Sequence, residues 1–191
     1  MILGITGGYG SGKSTAASLF AQRGFHRLDS DKLVRERVLT APEVVAALGA
    51  RYGAPVVGRD GIVNRRELAG RVFTDNSELS WLEELTHPVV FDHWREALAS
   101  DPKGRWAVEA PLLFEKSLEK WFDFIVCVAC APEQQLARLE QCGINRTFAG
   151  QRITKQLPLA KKIELSDFVL WNEGSPEFLK AQVDRLVDSL P

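Results

Sequence analysis

Short apolar runs alternate with longer stretches whose apolar residues recur every three or four positions. "MILGI" and, past Asp123, the rest of "FDFIVCVAC" are continuous apolar runs, the pattern of buried strands. "FHRLD", "RWAVEA" and "FVLWN" read as three further, shorter strands. Between them lie helical patterns. "GKSTAASLFAQR" is stopped by Gly24, and Pro132 opens a helix through Gln141, a position where its missing N–H costs nothing. "TFAGQRITKQL" and "LAKKIEL" are short helices separated by Pro158. "SPEFLKAQVDRLVDSL" closes the chain, with Ser175 as N-cap, Pro176 in the first turn, and Phe178, Leu179, Val183, Leu186 and Val187 forming one face. The stretch from Asp31 to Ser100 is largely helical, with Val44, Val45 and Leu48, then Leu79, Leu82 and Leu85, at helical spacing. Pro42 and the turn-rich "GAPVVGRDGIVNR" interrupt it.

Strands alternating with helices predict a parallel sheet covered on both faces. Such sheets bind ligands beyond the C-terminal strand ends. The positions to watch therefore follow Ile5, Asp29, Glu109, Cys130 and Asn172. Composition narrows the class. The chain has 191 residues, 45% of them hydrophobic and 26% charged, enough for one packed domain with a small inserted region. A net charge of -1 argues against a duplex nucleic-acid binder. No apolar run of membrane-spanning length occurs, and "MILGITGG" lacks the basic start of a secretory signal. Three cysteines, Cys127, Cys130 and Cys142, make no disulfide framework, so a cytoplasmic protein, by default a monomer, is expected.

The strongest local signal follows the first strand. Gly7-x-x-x-x-Gly12-Lys13-Ser14 fits the phosphate-binding pattern G-x-x-x-x-G-K-[ST], in its required setting between a strand and a helix. The glycines Gly8, Gly10 and Gly12, with Ser11, let successive N–H groups turn inward onto phosphate. The helix N-terminus adds unpaired donors. Lys13 reaches the β- and γ-phosphates, and the Ser14 hydroxyl is the ligand expected for Mg²⁺, with Thr15 behind it. This predicts an NTP and magnesium, and leaves the fate of the γ-phosphate open. No N-K-x-D guanine reader is present. "DPKG" (Asp101–Gly104) precedes a strand rather than following one, and "WAVEAP" offers only Glu109 where an ATPase carries its acidic residue. "RLDSDKLVRE" places Asp29 and Asp31 just past the second strand. In small-molecule kinases a carboxylate there takes the proton of the attacking hydroxyl. Asp29 suits a helix cap and Asp31 the functional role. Cys127-x-x-Cys130 lies in a buried strand and reads as structural. His26, His87 and His93 lack metal-ligand spacing.

At this point the chain resembles the dephospho-CoA kinase family over 2–174, in order. "LGITGGYGSGKST" is similar to the family's opening strand and loop. "LDSDKLVRE" resembles its Asp-Ala-Asp segment, with Ser30 for Ala. "DGIVNRRELAGRVFTD" carries the family's arginine as Arg65. "WLEELTHPVV" matches through His87 and Pro88, and "VEAPLLFE" through Glu109 and Leu112. "QLPLAKKIELSDFVLWNEG" resembles the C-terminal signature through Gln156, Pro158, Lys162, Asp167, Asn172 and Gly174. The resemblance implies an α/β P-loop NTPase fold, three-layer α/β/α, with a five-stranded parallel sheet. It implies one domain over 1–191: a core of about 1–30, 104–137 and 167–191, a helical CoA-binding region of about 31–103, and a lid of about 138–166.

The implied reaction is ATP-dependent phosphorylation of the ribose 3′-hydroxyl of dephospho-CoA, the last step of coenzyme A synthesis. Gly8 to Thr15 would bind ATP and Mg²⁺, with Lys13, Asp31 and Arg138 as the catalytic set. Arg65, His87, Glu109 and Leu112 would serve the acceptor side together with Asp31, Glu109 also ordering magnesium-bound water. Asn172 and Gly174 would sit beside adenine. Gln141 and Cys142 stand where the family's lid usually carries a basic residue, which leaves Arg138, Arg146 and Arg152 as candidates to meet the transferring phosphate. Ile163 and Trp171 also depart from the usual residues. The readings set against this one are another small-metabolite or nucleoside kinase on the same scaffold, and a regulatory NTP-binding switch.

Overall fold

The computed structural model describes all residues from Met1 to Pro191. They divide into two compact units, Met1–Asp29 with Lys103–Pro191, and Ser30–Pro102.

The first unit is built on a five-stranded sheet. β1 (Ile2–Gly7), β2 (His26–Asp29), β3 (Trp106–Glu109), β4 (Phe124–Ala129) and β5 (Phe168–Trp171) take the order β2-β3-β1-β4-β5. Every pairing is parallel. Strands β1, β3 and β4 are buried on both faces, which is why their sequences are almost entirely apolar. α1 (Lys13–Gln22) and α9 (Pro176–Ser189) pack on one face, where Ala16, Ala17 and Phe20 meet Leu179, Val183, Leu186 and Val187 over Leu3, Ile5, Val126, Val128 and Leu170. The expected Ser175 cap forms, its Oγ accepting from Phe178 N at 3.3 Å. The sheet's outer edge at β5 is closed by Gln182 of α9: its amide accepts from Trp171 N (2.9 Å) and donates to Trp171 O (2.8 Å), occupying groups that would otherwise invite another strand.

Register decides what lies at the C-terminal ends. Asp29 pairs with Glu109, Ile5 with Glu109, and Gly7 with Val128. Three chain-distant segments are therefore brought level with the glycine-rich loop. Beyond β4, α6 (Pro132–Gln141), α7 (Arg146–Thr154) and α8 (Leu159–Leu165) occupy the expected lid stretch.

The second unit is helical, with α2 (Ser30–Glu36), α3 (Pro42–Tyr52), α4 (Arg65–Val72) and α5 (Asn76–Ser100). Pro42 opens α3 in its first turn instead of merely interrupting a helix, and a single 3-10 turn, Val38–Thr40, precedes it. The turn-rich segment closes on an antiparallel bridge, Val57 to Val63. Val38, Val44, Leu48, Val56, Leu68, Val72, Val90 and Trp94 are buried. Asn64 caps α4 and Asp75 caps α5. Pro88 lies inside α5, and the hydroxyl of Thr86 donates back to Leu82 O at 2.8 Å.

Candidate functional site

The loop between β1 and α1 turns as its glycines allow. Gly10 and Gly12 have φ of +81° and +97°, the left-handed region, and neither has room for a side chain. A Cβ on Gly10 would come within 2.9 Å of Gln135 O, and one on Gly12 within 2.1 Å of Asn172 Nδ2. Ser11 N donates to Gly8 O (3.1 Å), and Gly12 O accepts the first helical bond, from Ala16 N (3.1 Å). Lys13 folds back along the loop, Nζ donating to Gly8 O (2.9 Å) and Gly7 O (3.3 Å). The buried Ser11 hydroxyl has no hydrogen-bond partner. Thr15 is exposed.

The next strand over supplies the acid. Ser14 Oγ donates to Glu109 Oε2 at 2.7 Å, and Glu109 is buried. Its other oxygen accepts from Arg27 Nε at 2.7 Å. Arg27 Nη2 also reaches Asp29 Oδ2 at 3.3 Å, so Asp29 takes part in an ion pair at the sheet edge.

The loop's rear wall comes from residues expected at the nucleotide. Asn172 is buried, and its Nδ2 donates to Ser11 O at 2.9 Å. Arg138 donates to Asn172 O (2.8 Å) and Ser11 O (3.4 Å). Gln135 Nε2 donates to Cys130 O at 3.3 Å. Gly174 is exposed, at the foot of α9 beside Phe178. The three arginines of the expected lid stretch separate clearly. Arg138 is committed to those two carbonyls. Arg146 is exposed and pairs with Glu140 at 3.3 Å. Arg152 lies over the Tyr9 ring of the loop, 5.5 Å from its centroid, and over Phe148 at 5.0 Å. Gln156 accepts from Tyr9 N at 3.0 Å, a second tie between the stretch after α7 and the loop.

The passage from α7 into α8 is anchored below. Lys162 is fully buried; its Nζ donates to Pro111 O (2.7 Å) and pairs with Glu115 Oε1 (2.9 Å). The same Glu115 oxygen accepts from Leu157 N at 2.8 Å. Leu112 is half-buried in this turn. Arg27, Gln135 and Glu115 were not singled out by their positions along the chain, and Gln156 and Lys162 entered only as signature residues. Arg27 had one readable signal: it shares a strand face with Asp29, two residues away. Cys127 and Cys130 are buried, and burial pushes the Cys127 thiol up to about 11 and Cys130 also upward, the opposite of a reactive thiolate.

In the helical unit, Asp31 is exposed in the first turn of α2, Arg65 is the exposed first residue of α4, and His87 is half-buried with its ring 5.7 Å from Phe91.

Comparison with known proteins gives a consistent result. A family model described as "Dephospho-CoA kinase" matches residues 1–177. A protein of Thermosynechococcus vestitus named "Dephospho-CoA kinase" is 44% identical over 185 residues, spanning 96% of this chain and 91% of its own. A solved structure from Thermus thermophilus is 34% identical, with a TM-score of 0.85 over 100% of this chain and 98% of its own. The dephospho-CoA kinase of Campylobacter jejuni, at 19% identity, shares the fold with a TM-score of 0.65 over 98% and 95% of the two chains.

Proposed function

The chain belongs to the dephospho-CoA kinase family, and from that premise we propose how its residues divide the work of transferring the γ-phosphoryl of ATP to the ribose 3′-hydroxyl of dephospho-CoA. The 3′-hydroxyl oxygen attacks the γ-phosphorus in line, the bond to the β–γ bridging oxygen breaks, and ADP leaves. Asp31, two residues beyond Asp29, takes the hydroxyl proton. Lys13 and the N–H groups from Gly8 to Thr15 hold the triphosphate. Arg65, His87 and Leu112 serve the acceptor, whose pyrophosphate calls for cationic donors. Arg152, already over Tyr9, is the lid cation that meets the transferring group. Arg138 and Asn172 act from behind, by fixing Ser11.

Magnesium fits the corner at Ser14. A hydroxyl and a carboxylate oxygen lie 2.7 Å apart there, both hard oxygen ligands of the kind this ion takes, and few of them, as suits an ion that keeps waters and binds phosphates. Ser14 would hold the ion and Glu109 its water; when bound, it would neutralise charge developing on the phosphates. The observation that carries the assignment is this Ser14–Glu109 contact beside Lys13, at the C-terminal edge of a parallel sheet.

The test is incubation with ATP, Mg²⁺ and dephospho-CoA, read by mass for one added phosphate. Asp31→Asn and Lys13→Ala are each expected to lower turnover by about a hundredfold or more, the range of general-base and charge-stabilising groups. A near wild-type rate for Asp31→Asn would remove Asp31 as the base.

A further inference from the structure

Arg27 is placed where no nucleotide or acceptor role requires it, yet it touches every element that meets at Ser14. It projects from β2, opposite Ala107 in the register, and the small neighbour leaves its side chain a path across to Glu109. Nε and Nη2 both meet Glu109 Oε1 at 2.7 Å, a forked hold on a single oxygen that leaves Oε2 turned to Ser14. Nη2 also reaches Asp29 at 3.3 Å, and Nη1 donates to Ser18 Oγ of α1 at 3.0 Å. Ser18 in turn donates to Ser14 O at 2.8 Å. One guanidinium therefore ties β2 and β3 to α1 through Ser18, which in turn bonds back to Ser14.

We propose that Arg27 is a positioning residue for phosphoryl transfer, which aims the Glu109 carboxylate at the Ser14 hydroxyl and offsets its charge where a polyanionic nucleotide must bind. The argument is one of geometry and charge. Glu109 has only 5% of its side chain exposed, so without a partner it is a nearly buried anion. Asp29 adds a second carboxylate at the adjacent register position. Two carboxylates beside a triphosphate repel it unless a fixed cation answers them. Arginine suits the position because its planar fork fixes an orientation that a lysine ammonium, a rotating point charge, does not.

The inference rests on the reading that Glu109 works at the nucleotide's metal corner, and a double-mutant cycle separates the two. Arg27→Gln, Arg27→Lys, Glu109→Gln and Arg27→Gln/Glu109→Gln are compared by kcat and KM for ATP at saturating Mg²⁺, and by calorimetric binding of a non-hydrolysable ATP analogue with Mg²⁺. Thermal midpoints identify any variant that does not fold. For Arg27→Gln we expect KM and the analogue Kd to rise about tenfold, with kcat falling less than about threefold. Arg27→Lys should recover only part of this, because it restores charge without the fork. In the Glu109→Gln background, Arg27→Gln should change little further, since its carboxylate is gone. Wild-type binding by Arg27→Gln with impaired Glu109→Gln would overturn the inference and leave the reading of Glu109 intact. So would an undiminished Arg27→Gln effect in the Glu109→Gln background, which would mean that Arg27 acts through other groups. Wild-type behaviour of Glu109→Gln would overturn both.

Discussion

Replacing Lys162 by Ala should destabilise the sheet-bearing unit heavily, although Lys162 contacts none of the reacting groups. Its ammonium is fully buried and holds Pro111 O at 2.7 Å and Glu115 Oε1 at 2.9 Å. Removing it strands Glu115, whose side chain is 16% exposed and whose second oxygen is buried without a hydrogen-bond partner. Leu157 N remains to Glu115, but it is a single neutral donor. Breaking a buried pair from one side costs about 3–5 kcal/mol. The partial exposure of Glu115 lets water reach it, so the lower end, about 3 kcal/mol, is expected. For a domain of this size each kcal/mol moves the midpoint by about 2–4 °C, a drop of about 6–12 °C in all. Guanidinium unfolding followed by tryptophan fluorescence measures it directly. The companion double variant Lys162→Met/Glu115→Gln removes both charges, keeps an amide oxygen to accept from Leu157 N, and should recover most of the lost stability. A loss below about 1 kcal/mol for Lys162→Ala, or a double variant no better than the single, would refute the claim that this pair is coupled and buried.

Further outcomes follow from other parts of the structure. Gly12→Ala should abolish ATP binding in the same calorimetric assay, because its Cβ would fall 2.1 Å from Asn172 Nδ2 at a φ of +97°; Gly12→Ala/Asn172→Ala should remain impaired because the φ strain persists. Arg152→Ala should lower kcat with ATP more than Arg146→Ala does, measured side by side, since only Arg152 lies against the loop. In the helical unit, Arg51 donates through two bonds of 2.8 Å to Glu78, and with Tyr52 holds its carboxyl down to about 2. That interaction contributes fully above pH 4.5 and is lost as pH falls through about 2, so Glu78→Gln should remove a distinct part of the acid unfolding profile. Burial raises the Cys127 thiol from 9.0 to about 11, so stability should be level below pH 9 and decline as pH rises through 11. At pH 8 a thiol reagent should label Cys142 and spare Cys127 and Cys130 until the protein is denatured.

How much was legible depended on distance along the chain. β1, the loop and α1 are contiguous, and glycine spacing with Lys13 and Ser14 described them before any packing was known. The alternation of short runs and amphipathic stretches carried the parallel sheet, most clearly in β1, β3 and β4, where burial on both faces leaves a mainly apolar imprint; β2 and β5 are partly exposed and more weakly marked. Pro132 and Pro176 announced helix starts correctly, each standing in a first turn, whereas Pro42, read as a break, also opens a helix. Arg138 and Arg152 were not separable by sequence: they differ in what they touch, not in local pattern.

Local spacing and the periodicity of burial were enough to read the strand–loop–helix unit, the sheet class and the list of candidate charges from the chain. Which of those charges meet is settled by long-range packing. The strand order β2-β3-β1-β4-β5 sets Asp29 beside Glu109 and brings Arg27 and Ser14 to one carboxylate, although Ser14 and Glu109 stand 95 positions apart. It likewise buries Lys162 against Glu115 and presses Gln156 to Tyr9. A buried charge is tolerated only where a partner waits, and which partner waits is a property of how the sheet is ordered, which no local window of the chain contains.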